Sequence, residues 1–89
     1  NNSSFGSNNT TASSYYQKSS AFGYNNTATD TSSSAMGCDN NSSNFQSSAF
    51  GFSNLASGSR GSAFGYDNTV SGNYSAAIGC INTSSRNYN

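Results

Sequence analysis

Residues 48–54, Ser-Ala-Phe-Gly-Phe-Ser-Asn, recur 14 positions later as residues 62–68, Ser-Ala-Phe-Gly-Tyr-Asp-Asn. The same spacing extends in both directions, with each glycine preceded by Ala and one large apolar residue, at Gly23, Gly37, Gly51, Gly65 and Gly79. Three residues after each glycine comes an asparagine, at Asn26, Asn40, Asn54, Asn68 and Asn82. A fixed period of this kind indicates a repeat architecture.

Large and small residues alternate within each copy, which is the period of a strand and not of a helix. A second short extended piece follows, centred on Ala28, Ser42, Ala56, Val70 and Ser84. Asn-rich and Gly-rich stretches between the two pieces permit tight turns. Two strands and two turns per 14 residues predict one coil of a narrow solenoid, and stacked coils form parallel ladders about 4.8 Å apart.

An earlier copy, Phe5-Gly6 with Asn9, lies 17 residues before Gly23, so a three-residue insertion is expected near residues 15–17. Residues 1–89 are predicted to form a single all-β segment, a parallel β-roll of about six coils and roughly 30 Å in length. The coils are predicted to start near Ser3, Ser20, Ser34, Ser48, Ser62 and Ala76.

The packing of this coil follows from its large and small faces. We expect Phe22 and Tyr24, and their equivalents, to point into the roll, and the Ala and Gly columns to face other chains. Two or three large side chains per coil contribute about 5 kcal/mol, against an ordering cost of about 1.5 kcal/mol per residue. An isolated rod is therefore marginal, and an obligate oligomer is expected.

That packing predicts that Gly51→Val disturbs assembly while Ser53→Val has little effect. The Asn column has two compatible explanations. It forms a side-chain amide ladder, or it supplies left-handed turn residues.

Composition excludes several functions. The chain has 22 Ser and 15 Asn, is 31% hydrophobic and 7% charged, carries no net charge, and contains no His and no Glu. It thus lacks the usual acids, bases and metal ligands, and no catalytic, cofactor or metal site is expected. The zero charge argues against nucleic acid, and no segment of this sequence is expected to contact a membrane.

The unit Ser-Ala-Phe-Gly-Tyr-x-Asn-Thr-Ala resembles the head repeat of YadA-type trimeric autotransporter adhesins, and residues 75–79, Ser-Ala-Ala-Ile-Gly, resemble it most. The resemblance spans about residues 3 to 85 and implies a left-handed β-roll that forms a homotrimer on a bacterial surface. Similar repeats occur in trimeric fibres of phages and viruses. Unlike the family pattern, this chain has Ser in the usual Val position and mostly Phe in the usual Ile position. Nothing in it matches the neck, stalk or anchor of such adhesins.

The function expected from this resemblance is structural and adhesive. The segment would belong to an extracellular or cell-surface fibre, or to a fibre on a virion, and its polar loops would bind host matrix, a glycan or a cell by avidity. The alternatives are a purely architectural shaft of a viral or cellular filament and an ice-binding solenoid. The ice-binding alternative rests on the hydroxyl-rich flanks of the second strand, which Asn41 and Leu55 interrupt.

Two further sets of residues carry alternatives. Cys38 and Cys80 fall in one column three coils apart, roughly 14 Å by the strand spacing, too far for an intrachain disulfide. They are expected to be buried thiols, or to bond between chains near the axis if their face points toward neighbouring chains. Arg60, Tyr74 and Tyr88 share one column and form either scattered surface residues or an aromatic and cationic contact strip for a protein or glycan.

Overall fold

The computed structural model describes residues 2–11 and 18–88, which form two six-stranded parallel sheets that alternate along the chain. The predicted insertion near residues 15–17 lies outside these residues. The long strands are β1 (Ser3–Ser7), β3 (Ser20–Tyr24), β5 (Ser34–Cys38), β7 (Ser48–Phe52), β9 (Ser62–Tyr66) and β11 (Ala76–Cys80). The short strands are β2 (Thr10–Thr11), β4 (Thr27–Ala28), β6 (Asn41–Ser42), β8 (Leu55–Ala56), β10 (Thr69–Val70) and β12 (Thr83–Ser84).

Each strand pairs with its own copy in the next coil, so equivalent residues form columns along the solenoid. Phe50, for example, is the register partner of both Met36 and Phe64. The described residues extend 30 × 25 × 10 Å. The all-β solenoid of stacked parallel coils predicted from the repeat is confirmed by this arrangement.

The interior of each coil is built from small side chains. The buried apolar residues are Ala21, Ala28, Ala35, Ala49, Ala56, Ala63, Val70 and Ala77. They form two clusters, and buried Ser42 occupies the short-strand position between them. The Ser42 hydroxyl is satisfied by the Ser47 hydroxyl at 2.7 Å, as a buried polar group requires.

The expected direction of the Phe column is therefore wrong. Ala21 is 1% exposed, whereas Phe22 and Tyr24 on the same strand are 50% and 54% exposed. A coil this thin has room for alanine, serine and asparagine between its two sheets but not for aromatic rings. The large residues point out of the coil, and alanine is its core.

The Asn column forms a continuous amide ladder inside the coil. The Asn54 Nδ2 donates to Asn40 Oδ1 at 3.0 Å, to the Phe50 carbonyl and to the Gly65 carbonyl. Its Oδ1 accepts hydrogen bonds from the backbone and side-chain nitrogens of Asn68. The amide-ladder explanation of this column is correct. The left-handed turn position is instead the preceding residue, as at Ser53 with φ 58°.

The Gly column lies against this ladder. Gly51 has φ 122°, a conformation that is essentially reserved for glycine. A Cβ there would collide with the Gly65 carbonyl oxygen and stand 3.0 Å from Asn54 Nδ2. The expectation that Ser53→Val is harmless also fails, because a β-branched residue is strained at a positive φ.

Gly51→Val should unfold the chain or lower its melting temperature by more than about 10 °C, because backbone strain and the clash with Gly65 add to at least about 3 kcal/mol. Ser71→Val is the control, since Ser71 is exposed and has no positive φ. Circular dichroism melts of both variants measure the difference. Equal melting temperatures would contradict the close approach of the Gly column to the backbone of the next coil.

Asn54→Leu should destabilise the fold by about 3 kcal/mol or more, because it leaves several buried backbone and amide groups without partners at about 1–3 kcal/mol each. Asn41→Leu is a matched control. Asn41 is exposed and its register neighbour in the next coil is Leu55, so leucine is accepted in that column. Urea denaturation of both variants gives the two free energies of unfolding, and a comparable loss in both would argue against the ladder.

Candidate functional site

The outer side of the long-strand sheet carries a continuous apolar face. Its first column is Phe5, Phe22, Met36, Phe50, Phe64 and Ile78, and its second is Tyr24, Cys38, Phe52, Tyr66 and Cys80. Side chains two positions apart on a strand share a face, so the two columns run side by side. Ile78 is 69% exposed and Phe5 68% exposed. Soluble monomers rarely expose so long an apolar surface, and one of this kind marks an interaction site.

Ring stacking makes this apolar face regular. The Phe50 and Phe64 rings are parallel to within 1° with centroids 4.9 Å apart, and those of Phe52 and Tyr66 are parallel to within 7° at 5.5 Å. An open groove of about 520 Å³ lies on the same face beside Phe5, Phe22 and Met36. The face is therefore an ordered surface of rings that a complementary surface can cover.

Both cysteines lie on the apolar face as free thiols. Cys38 is half-buried and Cys80 is exposed, so the expectation of thiols buried in the coil is wrong. The Cys38 Sγ donates to Asp39 Oδ2 at 3.6 Å. Partial burial, and secondly the charge and hydrogen bond of the Asp39 carboxylate, raise the pKa of the Cys38 thiol above its ordinary value. A raised pKa lowers the reactive thiolate fraction at neutral pH.

The outer side of the short-strand sheet is polar. Its register column reads Thr10, Thr27, Asn41, Leu55, Thr69 and Thr83. The threonines that suggested ice binding do align, but Asn41 and Leu55 occupy the two central rungs. The longest uninterrupted threonine run in this column is therefore two rungs.

The turn that leads from each short strand to the next long strand carries a second side-chain array, which we call the Arg60 strip and define as Phe45, Gln46, Arg60, Tyr74 and Tyr88. Arg60 donates from Nε to Gln46 Oε1 at 2.7 Å and from a terminal nitrogen to the Tyr74 hydroxyl at 2.6 Å. Its guanidinium carbon stands 5.1 Å from both the Phe45 and Tyr74 ring centroids. Tyr74 and Tyr88 stack at 5.2 Å. The structure thus brings together Arg60, Tyr74 and Tyr88, while Phe45 and Gln46 were not foreseen.

Backbone conformation distinguishes the Arg60 strip from the opposite turn. One left-handed column, at the opposite turn, consists of Asn8, Asn25, Asp39, Ser53, Asp67 and Ile81, and the other consists of Ser32, Gln46, Arg60, Tyr74 and Tyr88. Asn and Asp tolerate this conformation best after glycine, and other residues pay about 1–2 kcal/mol. The first column mostly has the residues that the backbone prefers, and the second has none of them. Strained residues of this kind concentrate at functional sites.

Within residues 2–11 and 18–88, no group of three or more His, Cys, Asp or Glu side chains is placed to hold a metal ion. The same part of the chain contains no helix that is long and apolar enough to cross a membrane. The solenoid instead presents three repeated outer surfaces, which are the apolar face, the polar side of the short-strand sheet and the Arg60 strip.

These features define a structural repeat module with extended interaction surfaces. The family model for the YadA head domain repeat matches residues 17–37, 42–66 and 56–79, which is more than half of the chain. The chain belongs to the YadA head domain repeat family, which is a surface-exposed adhesin domain of bacteria. The resemblance seen in the repeat unit is therefore confirmed. No curated protein and no solved structure matches the chain significantly.

Asp39→Asn should speed the alkylation of Cys38 by iodoacetamide at pH 7.5, because losing the carboxylate lowers the thiol pKa toward its ordinary value and raises the thiolate fraction. In both proteins the rate should rise with pH, and the profile of the variant should lie at lower pH. Cys80, in a different coil, is the internal control and should react at an unchanged rate. Peptide mass spectrometry measures both rates, and an unchanged Cys38 rate would contradict the influence of Asp39.

Proposed function

We propose that the chain is a structural and adhesive segment of a homotrimeric fibre on a bacterial surface, and that its apolar face is the surface on which three chains meet. The single observation that carries this proposal is the apolar face, which is continuous over all six coils. Family membership supports the trimer, since YadA-type head repeats form homotrimers. The polar short-strand sheet then faces outward.

Energetics support an association of this kind. The interior of one chain buries alanine and serine, which contribute little hydrophobic free energy, while its aromatic rings remain half-exposed. Covering those rings with a second and third chain supplies the missing burial. Folding and assembly are then coupled. The Ala and Gly columns were expected from the sequence to make the contacts between chains, and the apolar face takes their place.

The adhesive part of the proposal rests on repetition. Each outward column presents similar groups at every coil, and a trimer triples them, so weak contacts to host matrix, a glycan or a cell sum by avidity. A trimer bound to beads should retain those beads on a surface coated with matrix proteins. Trimer-coated beads that are retained no better than bare beads would favour the purely architectural shaft.

Phe50→Ser should shift the association state from trimer toward monomer, because each trimer loses three rings from its central contact. Size-exclusion chromatography with light scattering at several protein concentrations measures the shift, which should amount to at least about tenfold in the midpoint concentration.

Leu55→Ser is the matched control for this experiment. Leu55 is a large apolar residue on the outer side of the other sheet, in a column that otherwise carries threonine and asparagine. Its substitution should leave the trimer intact. A wild-type protein that is folded and monomeric, or a trimer lost in Leu55→Ser and kept in Phe50→Ser, would contradict the assignment of the apolar face.

A further inference from the structure

We propose that the Arg60 strip binds an acidic polysaccharide that lies along the axis of the fibre. This inference rests on the proposed adhesive function, for which it names a binding surface and a class of ligand. The strip belongs to the turn between a short and a long strand, and none of its five residues belongs to the two columns of the apolar face.

The positive charge of Arg60 is not neutralised by the groups that it contacts. The two groups to which Arg60 donates hydrogen bonds, the Gln46 amide and the Tyr74 hydroxyl, are both neutral. The guanidinium therefore keeps its full charge, and it retains nitrogen–hydrogen donors beyond those two bonds. Asp39 and Asp67 lie in the left-handed column of the opposite turn. Asp30 lies in the same turn as the strip but two coils away from Arg60, roughly 10 Å by the strand spacing, and its carboxylate accepts a hydrogen bond from the Thr31 backbone nitrogen. An anionic group thus finds in Arg60 a cation whose own left-handed column carries no carboxylate.

The side chains of the strip are held in place by one another. Arg60 stands between the rings of Phe45 and Tyr74, and Tyr74 is stacked on Tyr88 with the ring planes 5° apart. Long side chains normally lose rotamer freedom when they bind a ligand. Here the stacking and the two hydrogen bonds have already ordered them. The guanidinium fork is therefore held in place for a carboxylate or sulfate, which it can bind through two parallel hydrogen bonds.

The strip is a straight row on the surface. Its four left-handed residues from Gln46 to Tyr88 occupy successive coils, a row of roughly 14 Å by the strand spacing. Beside them the exposed Asn73 and Asn87 accept backbone hydrogen bonds from the coil before, at 3.0 and 2.8 Å. Their amide nitrogens remain on the surface. Amides, phenol hydroxyls and ring edges in a straight row suit a linear chain of sugars rich in hydroxyl groups.

The small number of cations in the chain favours a sparsely charged ligand over a dense polyanion. Binding of nucleic acid draws its affinity from the release of many counterions, one for each phosphate neutralised. The chain has three Lys and Arg residues and no net charge, so it is not built for a dense polyanion. A polysaccharide with one acidic group every second sugar needs few cations and uses the neutral hydrogen-bonding groups between them.

The left-handed backbone supports the same conclusion. Gly or Asn would relieve strain at each of these positions, yet the column holds Gln46, Arg60, Tyr74 and Tyr88. The side chains that the strip needs for recognition are placed where the backbone disfavours them. Recognition gives these side chains a role beyond the contacts that they make between coils.

The test measures binding of fluorescently labelled hyaluronan hexasaccharide to the folded protein at low ionic strength by thermophoresis. Maltohexaose is the neutral comparison and hexaglutamate is the acidic peptide comparison. The hyaluronan fragment should bind at least about tenfold more tightly than either, because it alone offers both carboxylates and sugar hydroxyls.

Arg60→Gln should weaken hyaluronan binding about tenfold, in line with the loss of a hydrogen bond between charged groups. Arg86→Gln is the control, because it removes the same charge from an exposed position outside the strip and should change the affinity less than twofold. Tyr74→Ser should also weaken binding several-fold. Both substitutions fit the backbone, since Gln46 and Ser32 already occupy this left-handed column. Circular dichroism confirms that each variant is folded.

Three results would overturn the proposal. They are absence of hyaluronan binding by the wild-type protein, equal weakening by Arg60→Gln and Arg86→Gln, and hexaglutamate binding as tight as that of hyaluronan, which would assign the strip to an acidic peptide. Light scattering on the same samples separates this failure from that of the trimer. All five strip residues come from one chain, so binding is measurable whether or not the protein is trimeric.

Discussion

The buried Asn ladder is the interaction on which the rest of the structure depends. Each of its inner amides, such as Asn54, bonds to the asparagines of both neighbouring coils and to two backbone carbonyls. A buried amide is stable only when its donors and acceptors are all used. The ladder therefore holds every coil in register with the next. It also brings the Gly65 carbonyl so close to Gly51 that no side chain fits, which explains why glycine recurs every 14 residues.

An interior filled by amides and small residues determines where the large residues go. Alanine takes the inward position on the five long strands from β3 to β11, and the alternation of the strand then turns the Phe, Met or Ile of the next position outward. The outward columns of rings stack on one another within a chain but remain uncovered. A solenoid that uses its core for hydrogen bonds and its outside for hydrophobic side chains is suited to association, which is in keeping with a family of trimeric surface adhesins.

The two turns of the coil differ in the residues at their left-handed positions. Both contain one left-handed residue per coil, but one column is mostly Asn and Asp, while the other carries Gln46, Arg60, Tyr74 and Tyr88. Residues in successive coils are brought next to each other by the ladder, so side chains 14 residues apart in sequence form hydrogen bonds and ring stacks. Equivalent positions of successive repeats lie side by side. Residues that differ from one repeat to the next therefore form a continuous strip on the surface.

The sequence by itself determined the period, the strand character of the repeat, the parallel stacking and the family, because these follow from spacing and from the alternation within each copy. It also predicted the amide ladder as one of two explanations for the Asn column, and it placed Arg60, Tyr74 and Tyr88 in one column. Alternation shows that Ala21 and Phe22 lie on opposite faces, but it does not show which face is inside. That was decided by the tertiary structure, because the distance between the two sheets admits alanine and excludes aromatic rings. The contacts of Arg60 were also decided by the tertiary structure, since Phe45 and Gln46 reach the guanidinium only when neighbouring coils are stacked.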